Sequence, residues 1–171
     1  LNRLMAVHQL TGRDDLRDAG FTPGQQKAVM AADSLFDAIA ASDVLLHHPF
    51  ESYGPVIEFI GRAANDPDVL AIKITLYRTG PESPIVDALV AAAQAGKEVT
   101  VCVELRARFD EAANIKLANR LQEAGAHVVY GVVGFKTHSK LALVVRREGG
   151  QLRRYVHLGT GNYHTGTARL Y

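Results

Sequence analysis

At 171 residues with 47% hydrophobic content, the chain holds enough apolar material for one domain with a sizeable core and too little length for a second full one. Its 19 Lys and Arg against 18 Asp and Glu leave a net charge of +1, which gives no global electrostatic case for binding nucleic acid or a membrane surface. The lone cysteine, Cys102, excludes an intrachain disulfide and favours a reducing compartment, and the sequence shows no signal-peptide pattern and no apolar run of membrane length.

Residues 1–33 set Leu4, Val7, Leu10 and Leu16 among polar and small residues, a pattern of short helices joined by turns. Thr22 with Gln25 forms a capping-box pattern, and Pro23 suits a first helical position. Asp33 or Ser34 can cap a helix through Ala41, and residues 44–46 read as a short strand ending in His47-His48-Pro49-Phe50. Adjacent histidines on a strand face opposite ways and no third ligand lies nearby, so the pair does not argue for a metal site. A helix starting near Ser52 follows, with Val56, Phe59, Ile60 and Ala63 at helical spacing.

Residues 69–77 form a strong predicted strand, apolar nearly throughout except for Lys73 and Thr75, and such continuity predicts burial on both faces under helices. Arg78 stands where it ends. Ser83 and Pro84 fit the N-cap and first turn of a helix to Ala95, with Ile85, Leu89 and Ala92 inward and Gly96 as the stop. Residues 98–105 are the next strand, with Cys102 read as a small core residue, and Arg106 and Arg108 follow it. Asp110 opens a helix through Ala124 with Ile115, Ala118 and Leu121 inward, and residues 128–132 form a third strand. This alternation predicts a largely parallel sheet with right-handed crossovers and ligands at the carboxyl ends of its strands. Arg78 and Arg108 stand on that rim, where guanidinium groups clamp phosphate oxygens, and Arg106 competes with Arg108 for the role.

Residues 137–145 and 152–157, joined by Glu148-Gly149-Gly150, read as a hairpin completing the sheet, with Arg146, Arg147, Arg153 and Arg154 as an exposed basic tip. Alternate strand residues share a face, so His138 and Lys140 point together and Ser139 points away. Imidazole can act as a nucleophile and ammonium can neutralise phosphoryl oxygens. His157 feeds the loop Gly159-Thr160-Gly161-Asn162, whose glycines let backbone amides approach an anion while Asn162 fixes a ligand or a histidine tautomer.

His-x-Lys followed by a Gly-Thr-Gly-Asn loop resembles the half-site signature of the phospholipase D superfamily. That signature carries Asp five residues after the lysine, where this chain has Val145, which speaks against ordinary phosphodiesterase chemistry. Taken together, HHPFESYGPVIEFI, DPDVLAIKITLYRTG, VTVCVELRARFDEAANI, FKTHSKL and HLGTGNYHTGTARLY resemble the bacterial polyphosphate kinase family that works through a phosphohistidine. The resemblance runs from about residue 34 to 171 and is weak before that.

The resemblance implies a phospholipase D-like α/β domain over 34–171, a three-layer unit with a largely parallel mixed sheet and helices on both faces. Residues 1–33 would then be the tail of a preceding helical domain or linker. It implies reversible transfer of the ATP γ-phosphoryl group to polyphosphate, with His138 as the phosphohistidine nucleophile and Lys140 beside it. Arg78 and Arg108 would serve the phosphate and Mg2+ site through shared phosphate oxygens, because guanidinium is a poor metal ligand. Asn162 and His157 would contact phosphate and Tyr171 the nucleotide. The implied cofactor is Mg2+ with ATP as substrate. The implied partners are ATP or ADP, polyphosphate, and the second catalytic half and N-terminal domain of a longer, homo-oligomeric protein, with no nucleic acid. A cytoplasmic location, peripheral at the inner membrane, follows from the same family. The chain reads as an excised piece that folds with little or no kinase activity of its own. Two other functions compete: a dimeric phospholipase D-like nuclease or phosphodiesterase, and a non-catalytic polyphosphate-binding module.

Overall fold

The computed structural model describes residues 12–16, 19–80, 82–104, 111–132 and 134–170. Its centre is a five-stranded mixed sheet. Strands β1 (Val69–Leu76), β2 (Glu98–Val103) and β3 (His127–Tyr130) run parallel, and β4 (Lys140–Glu148) and β5 (Gln151–Gly159) form an antiparallel hairpin on the other side of β1, giving the order β3-β2-β1-β4-β5. The hairpin turns at Gly149 and Gly150, whose φ values of 54° and 81° suit the turn twist that keeps two antiparallel strands paired.

Five α-helices accompany the sheet among the described residues: α1 (Lys27–Ala31), α2 (Leu35–Ala41), α3 (Gly54–Asn65), α4 (Pro84–Gln94) and α5 (Glu111–Glu123). Ser34 caps α2 by accepting from the Asp37 N–H, and Ser83 caps α4 by accepting from the Val86 N–H with Pro84 directly after it. The core lies between the helices and one sheet face. Ile60, Ile72, Leu76, Leu89, Val101, Leu121 and Val144 are among its fully buried members, each contributing roughly 1.5–3 kcal/mol on burial.

Several expectations are corrected. The second layer of helices is not found among the described residues. Successive right-handed crossovers from β1 to β2 to β3 step in one direction and therefore carry α4 and α5 to the same side. The opposite face leaves Lys73 exposed, Leu141, Leu143 and Val145 half-buried and Val129 38% exposed, and Cys102 sits on it half-buried rather than in the core. Residues 44–46 form no strand, and Thr22 and Pro23 start no helix; α1 is instead capped by the Gln26 side chain, and Gly24 bridges to Glu51. Ile115 is 52% exposed, because Asn114 takes the inward position on α5 to satisfy two strand-end carbonyls. Arg146 is no exposed tip. Its guanidinium bonds Asp66 and Glu148, each at 2.8 Å, and lies over the Phe36 ring.

Candidate active site

Because β4 runs against β1 and β5 against β4, the start of β4 meets the carboxyl ends of β1 and β5. Three segments converge there: residues 77–80 leaving β1, residues 136–140 entering β4, and residues 159–162 leaving β5, with Lys140 paired to Gly159. This is the rim where open α/β sheets collect ligands.

His138 is exposed and precedes β4, which begins at Lys140 rather than at Thr137. The expected shared strand face is therefore not what unites the two residues. Lys140 is buried at 6% exposure, and its ammonium folds back to donate to the His138 carbonyl at 2.5 Å. Burial lowers the Lys140 pKa, with the nearby Tyr77 hydroxyl acting in the opposite sense.

Tyr77, the residue before Arg78, is what the spacing arguments missed. The His138 ring stands edge-on to it at 5.4 Å between centroids and 76°. The Lys140 and Lys136 ammonium nitrogens lie 5.4 and 5.5 Å from the Tyr77 centroid, and the Arg78 guanidinium carbon lies 5.5 Å away. A tyrosine at a strand end reads as ordinary core, and only its position directly before a rim arginine could have marked it.

Backbone contacts fix this arrangement. The buried Glu104 carboxylate, one residue past β2, accepts the Thr137 N–H at 2.8 Å. Thr75 bridges the next residues: its hydroxyl donates to the Ser139 carbonyl at 2.7 Å and accepts from the Leu141 N–H at 3.0 Å. Asn114 donates to the Tyr77 and Glu104 carbonyls at 3.1 and 2.9 Å, joining the ends of β1 and β2.

His157 belongs to a different environment. Its Nδ1 pairs with the Tyr163 hydroxyl at 2.8 Å, and burial, with a smaller contribution from His48, pushes its pKa down to about 4. It is a neutral, half-buried imidazole behind the glycine loop. It lines a cavity of ≈ 250 Å³ together with His47, His48, Tyr53 and Asn162, and the buried Asn162 Oδ1 has no hydrogen-bond partner among the described residues. A second cavity, ≈ 480 Å³, is lined by Arg78, Asn114, Lys116 and His164 among others. His164, also unforeseen, accepts from the Thr167 N–H and packs on Gly80. Arg108, Arg106 and Tyr171 lie outside the described residues.

Among the described residues no three metal-ligating side chains converge. The donor set around Tyr77 is cationic, and Glu104 is engaged by a backbone N–H, so these residues do not fit a protein-held Mg2+.

An exposed histidine beside a buried lysine, ringed by further cations at the carboxyl rim of a mixed sheet, defines an α/β domain built to handle anionic groups. Residues 34–171 match the family model described as polyphosphate kinase C-terminal domain 1. The whole chain is 59% identical to polyphosphate kinases of Neisseria meningitidis and Pseudomonas aeruginosa, covering 25% of each. A crystal structure of polyphosphate kinase from Porphyromonas gingivalis superposes on 90% of this chain and 26% of its own, with a TM-score of 0.76 and 38% identity. The chain belongs to the polyphosphate kinase family and spans about a quarter of the length of the curated relatives it matches.

Proposed function

We propose that this segment supplies one histidine half-site of an ATP:polyphosphate phosphotransferase within a longer polypeptide. The observation carrying the reading is the exposed His138 imidazole beside Lys140, Lys136 and Arg78 around one aromatic ring. In the forward step a His138 nitrogen donates its lone pair to the γ-phosphorus of ATP. The N–P bond forms as the bond to the bridging oxygen breaks, and that electron pair leaves on ADP. A terminal polyphosphate oxygen then attacks the same phosphorus and releases the imidazole.

Phosphoryl transfer asks little covalent work of a protein, so the surrounding cations act by positioning and by neutralising charge on the equatorial oxygens. Arg78, joined by Arg108, clamps those oxygens, and Mg2+ arrives on the nucleotide as part of the substrate. Asn162 and the glycine loop orient the phosphate or the histidine, His157 supports that loop as a neutral group, and Tyr171 meets the nucleotide. The second catalytic half, the N-terminal domain and the homo-oligomer complete the enzyme, which works in the cytoplasm or at the inner membrane surface. No described helix is long and apolar enough to cross a membrane.

The test is incubation of the complete protein, wild type and His138→Gln, with γ-labelled Mg-ATP. Label that acid removes and alkali spares, present in wild type and absent in the variant, is expected. Equal labelling of both proteins would move the nucleophile elsewhere. A folded, unlabelled protein that still binds polyphosphate would replace transfer by simple binding.

A further inference from the structure

The ≈ 480 Å³ cavity has Arg78 in its wall, and the Arg78 guanidinium also lies over the Tyr77 ring that His138 meets edge-on. The cavity therefore begins one side chain away from the candidate nucleophile, and its volume falls in the range of ligand pockets, about 300–1,000 Å³. The described residues lining it include no carboxylate and no Phe, Tyr or Trp. Two of its polar residues are engaged within the protein: Asn114 holds the Tyr77 and Glu104 carbonyls, and Arg120 pairs with Asp87 at 2.8 Å. Ser83 and Val86 set the first turn of α4, the positive end of its dipole, in the same wall.

His164 is the residue whose bonding points to a ligand. Its ring lies in a slot between two glycines: a Cβ at Gly80 would come to 2.9 Å from Nε2, and one at Gly166 to 2.9 Å from Cε1. Its backbone N–H donates to the Asn162 carbonyl at 2.7 Å, and its carbonyl accepts the Ala168 N–H at 3.1 Å. Nδ1 accepts the Thr167 N–H at 3.1 Å, so the neutral ring carries its proton on Nε2. That N–H sits on the ring edge beside Gly80, at the cavity, and forms no hydrogen bond among the described residues. The ring is held at every other point, which makes Nε2–H a preset donor. Lys116, exposed on α5 in the same wall, adds a full positive charge. An ammonium and a fixed N–H donor, beside a helix N-terminus, select a ligand rich in acceptor oxygens and negatively charged.

We propose that this cavity is a chain subsite beyond the reacting phosphoryl group, in which His164 Nε2–H and the Lys116 ammonium hold the next phosphoryl units of a polyphosphate chain passing Arg78. Of Arg78 only its position between the two spaces is used. The phosphates of a nucleotide share this chemistry, but a nucleotide also brings a base, and the described lining offers no aromatic side chain for it to stack on. That the chain ends at His138 rests on the phosphotransfer reading; that the cavity binds a phosphoryl chain does not.

The experiment uses the complete protein with His164→Asn, His164→Gln and Lys116→Gln. It reads affinity for tripolyphosphate and for ADP, the rate at which γ-labelled Mg-ATP labels the protein, and the rate at which tripolyphosphate discharges that label. Asparagine keeps an oxygen where Nδ1 accepts from Thr167 and loses the donor; glutamine keeps an N–H near the Nε2 position and loses the acceptor. His164→Asn is therefore expected to melt like wild type and to lose about tenfold in tripolyphosphate affinity. His164→Gln is expected to melt lower and yet bind tripolyphosphate more tightly than His164→Asn. Binding that follows stability instead, with His164→Gln the weaker, marks a structural role alone and overturns the assignment. Lys116→Gln is expected to lose about threefold in tripolyphosphate affinity. Discharge is expected to slow more than labelling in His164→Asn and Lys116→Gln. ADP affinity falling as far as tripolyphosphate affinity gives the cavity to the nucleotide and overturns the chain subsite. An unlabelled wild type whose tripolyphosphate affinity still falls in His164→Asn and Lys116→Gln sinks the phosphotransfer reading and leaves the subsite standing. A labelled wild type with affinity and discharge unchanged in both variants overturns the subsite alone. A wild type that neither binds tripolyphosphate nor takes label overturns both. Should His164→Asn fail to fold, exposed Lys116→Gln decides alone: undiminished tripolyphosphate affinity refutes the subsite.

Discussion

The Glu104 carboxylate and the Thr137 backbone N–H are joined at 2.8 Å across 33 residues of sequence, tying the end of β2 to the residue before His138. Placement of the candidate nucleophile thus depends on a buried acid on a neighbouring strand end. Glu104→Ala is expected to slow labelling by about 10- to 100-fold, the cost of a small misplacement at a reacting centre. Glu104→Gln keeps an oxygen that can accept from Thr137 and is expected to retain more of the rate. Single-turnover labelling of the two variants checks the order, and an alanine variant as fast as wild type refutes it.

Thr75 makes two hydrogen bonds to the backbone on either side of Lys140. Thr75→Val keeps the shape and removes both. The expected loss is about 1–3 kcal/mol, because the Ser139 carbonyl and Leu141 N–H lose their partner. Urea unfolding of the variant and wild type side by side measures it.

His157 gives stability a pH dependence near neutrality. Its folded pKa of about 4 lies below the ordinary 6.5, so between those values the unfolded chain binds the proton more readily. Its share of stability is complete above pH 6.5 and falls as pH drops towards 4. His157→Gln is expected to flatten this slope in denaturation midpoints followed from pH 7 to 4.

Glu148 acts in a lower window. Hydrogen bonds from Tyr155 first, then from Arg146 and Arg153, hold its pKa near 2 against an ordinary 4.5. Its contribution is present above pH 4.5 and disappears as pH falls towards 2. Tyr155→Phe, which removes the 2.6 Å bond to Glu148, is expected to raise the acid-unfolding midpoint without altering the slope assigned to His157.

Gly80 has φ of +79°, and a Cβ placed there would lie 2.9 Å from His164 Nε2. Gly80→Ala is expected to cost about 1–2 kcal/mol in backbone strain and to displace His164 as well. Restoration of stability by a second change, His164→Ala, separates the steric part from the backbone part.

The alternation of strand and helix from residue 69 to 130, the serine caps of α2 and α4, and the glycine hairpin were legible in the sequence, because each depends on residues close to one another along the chain. His138, Lys140, Arg78 and Asn162 could be nominated as candidates as well, since their residue types and spacing suit phosphoryl chemistry. Tertiary structure decided the rest. Which sheet face the helices cover follows from the direction of two crossovers, a property no single strand displays. Tyr77, Glu104, Thr75 and Asn114 enter the site by hydrogen bonds and ring contacts spanning 10 to 66 residues, a separation at which local periodicity carries no signal. Arg146 reads as a solvated tip from its neighbours in sequence and becomes a half-buried ion pair because Asp66, 80 residues away, lies beside it once β1 and β4 pair. Local sequence set which elements form and which groups can react; pairing across the sheet set which of those groups meet.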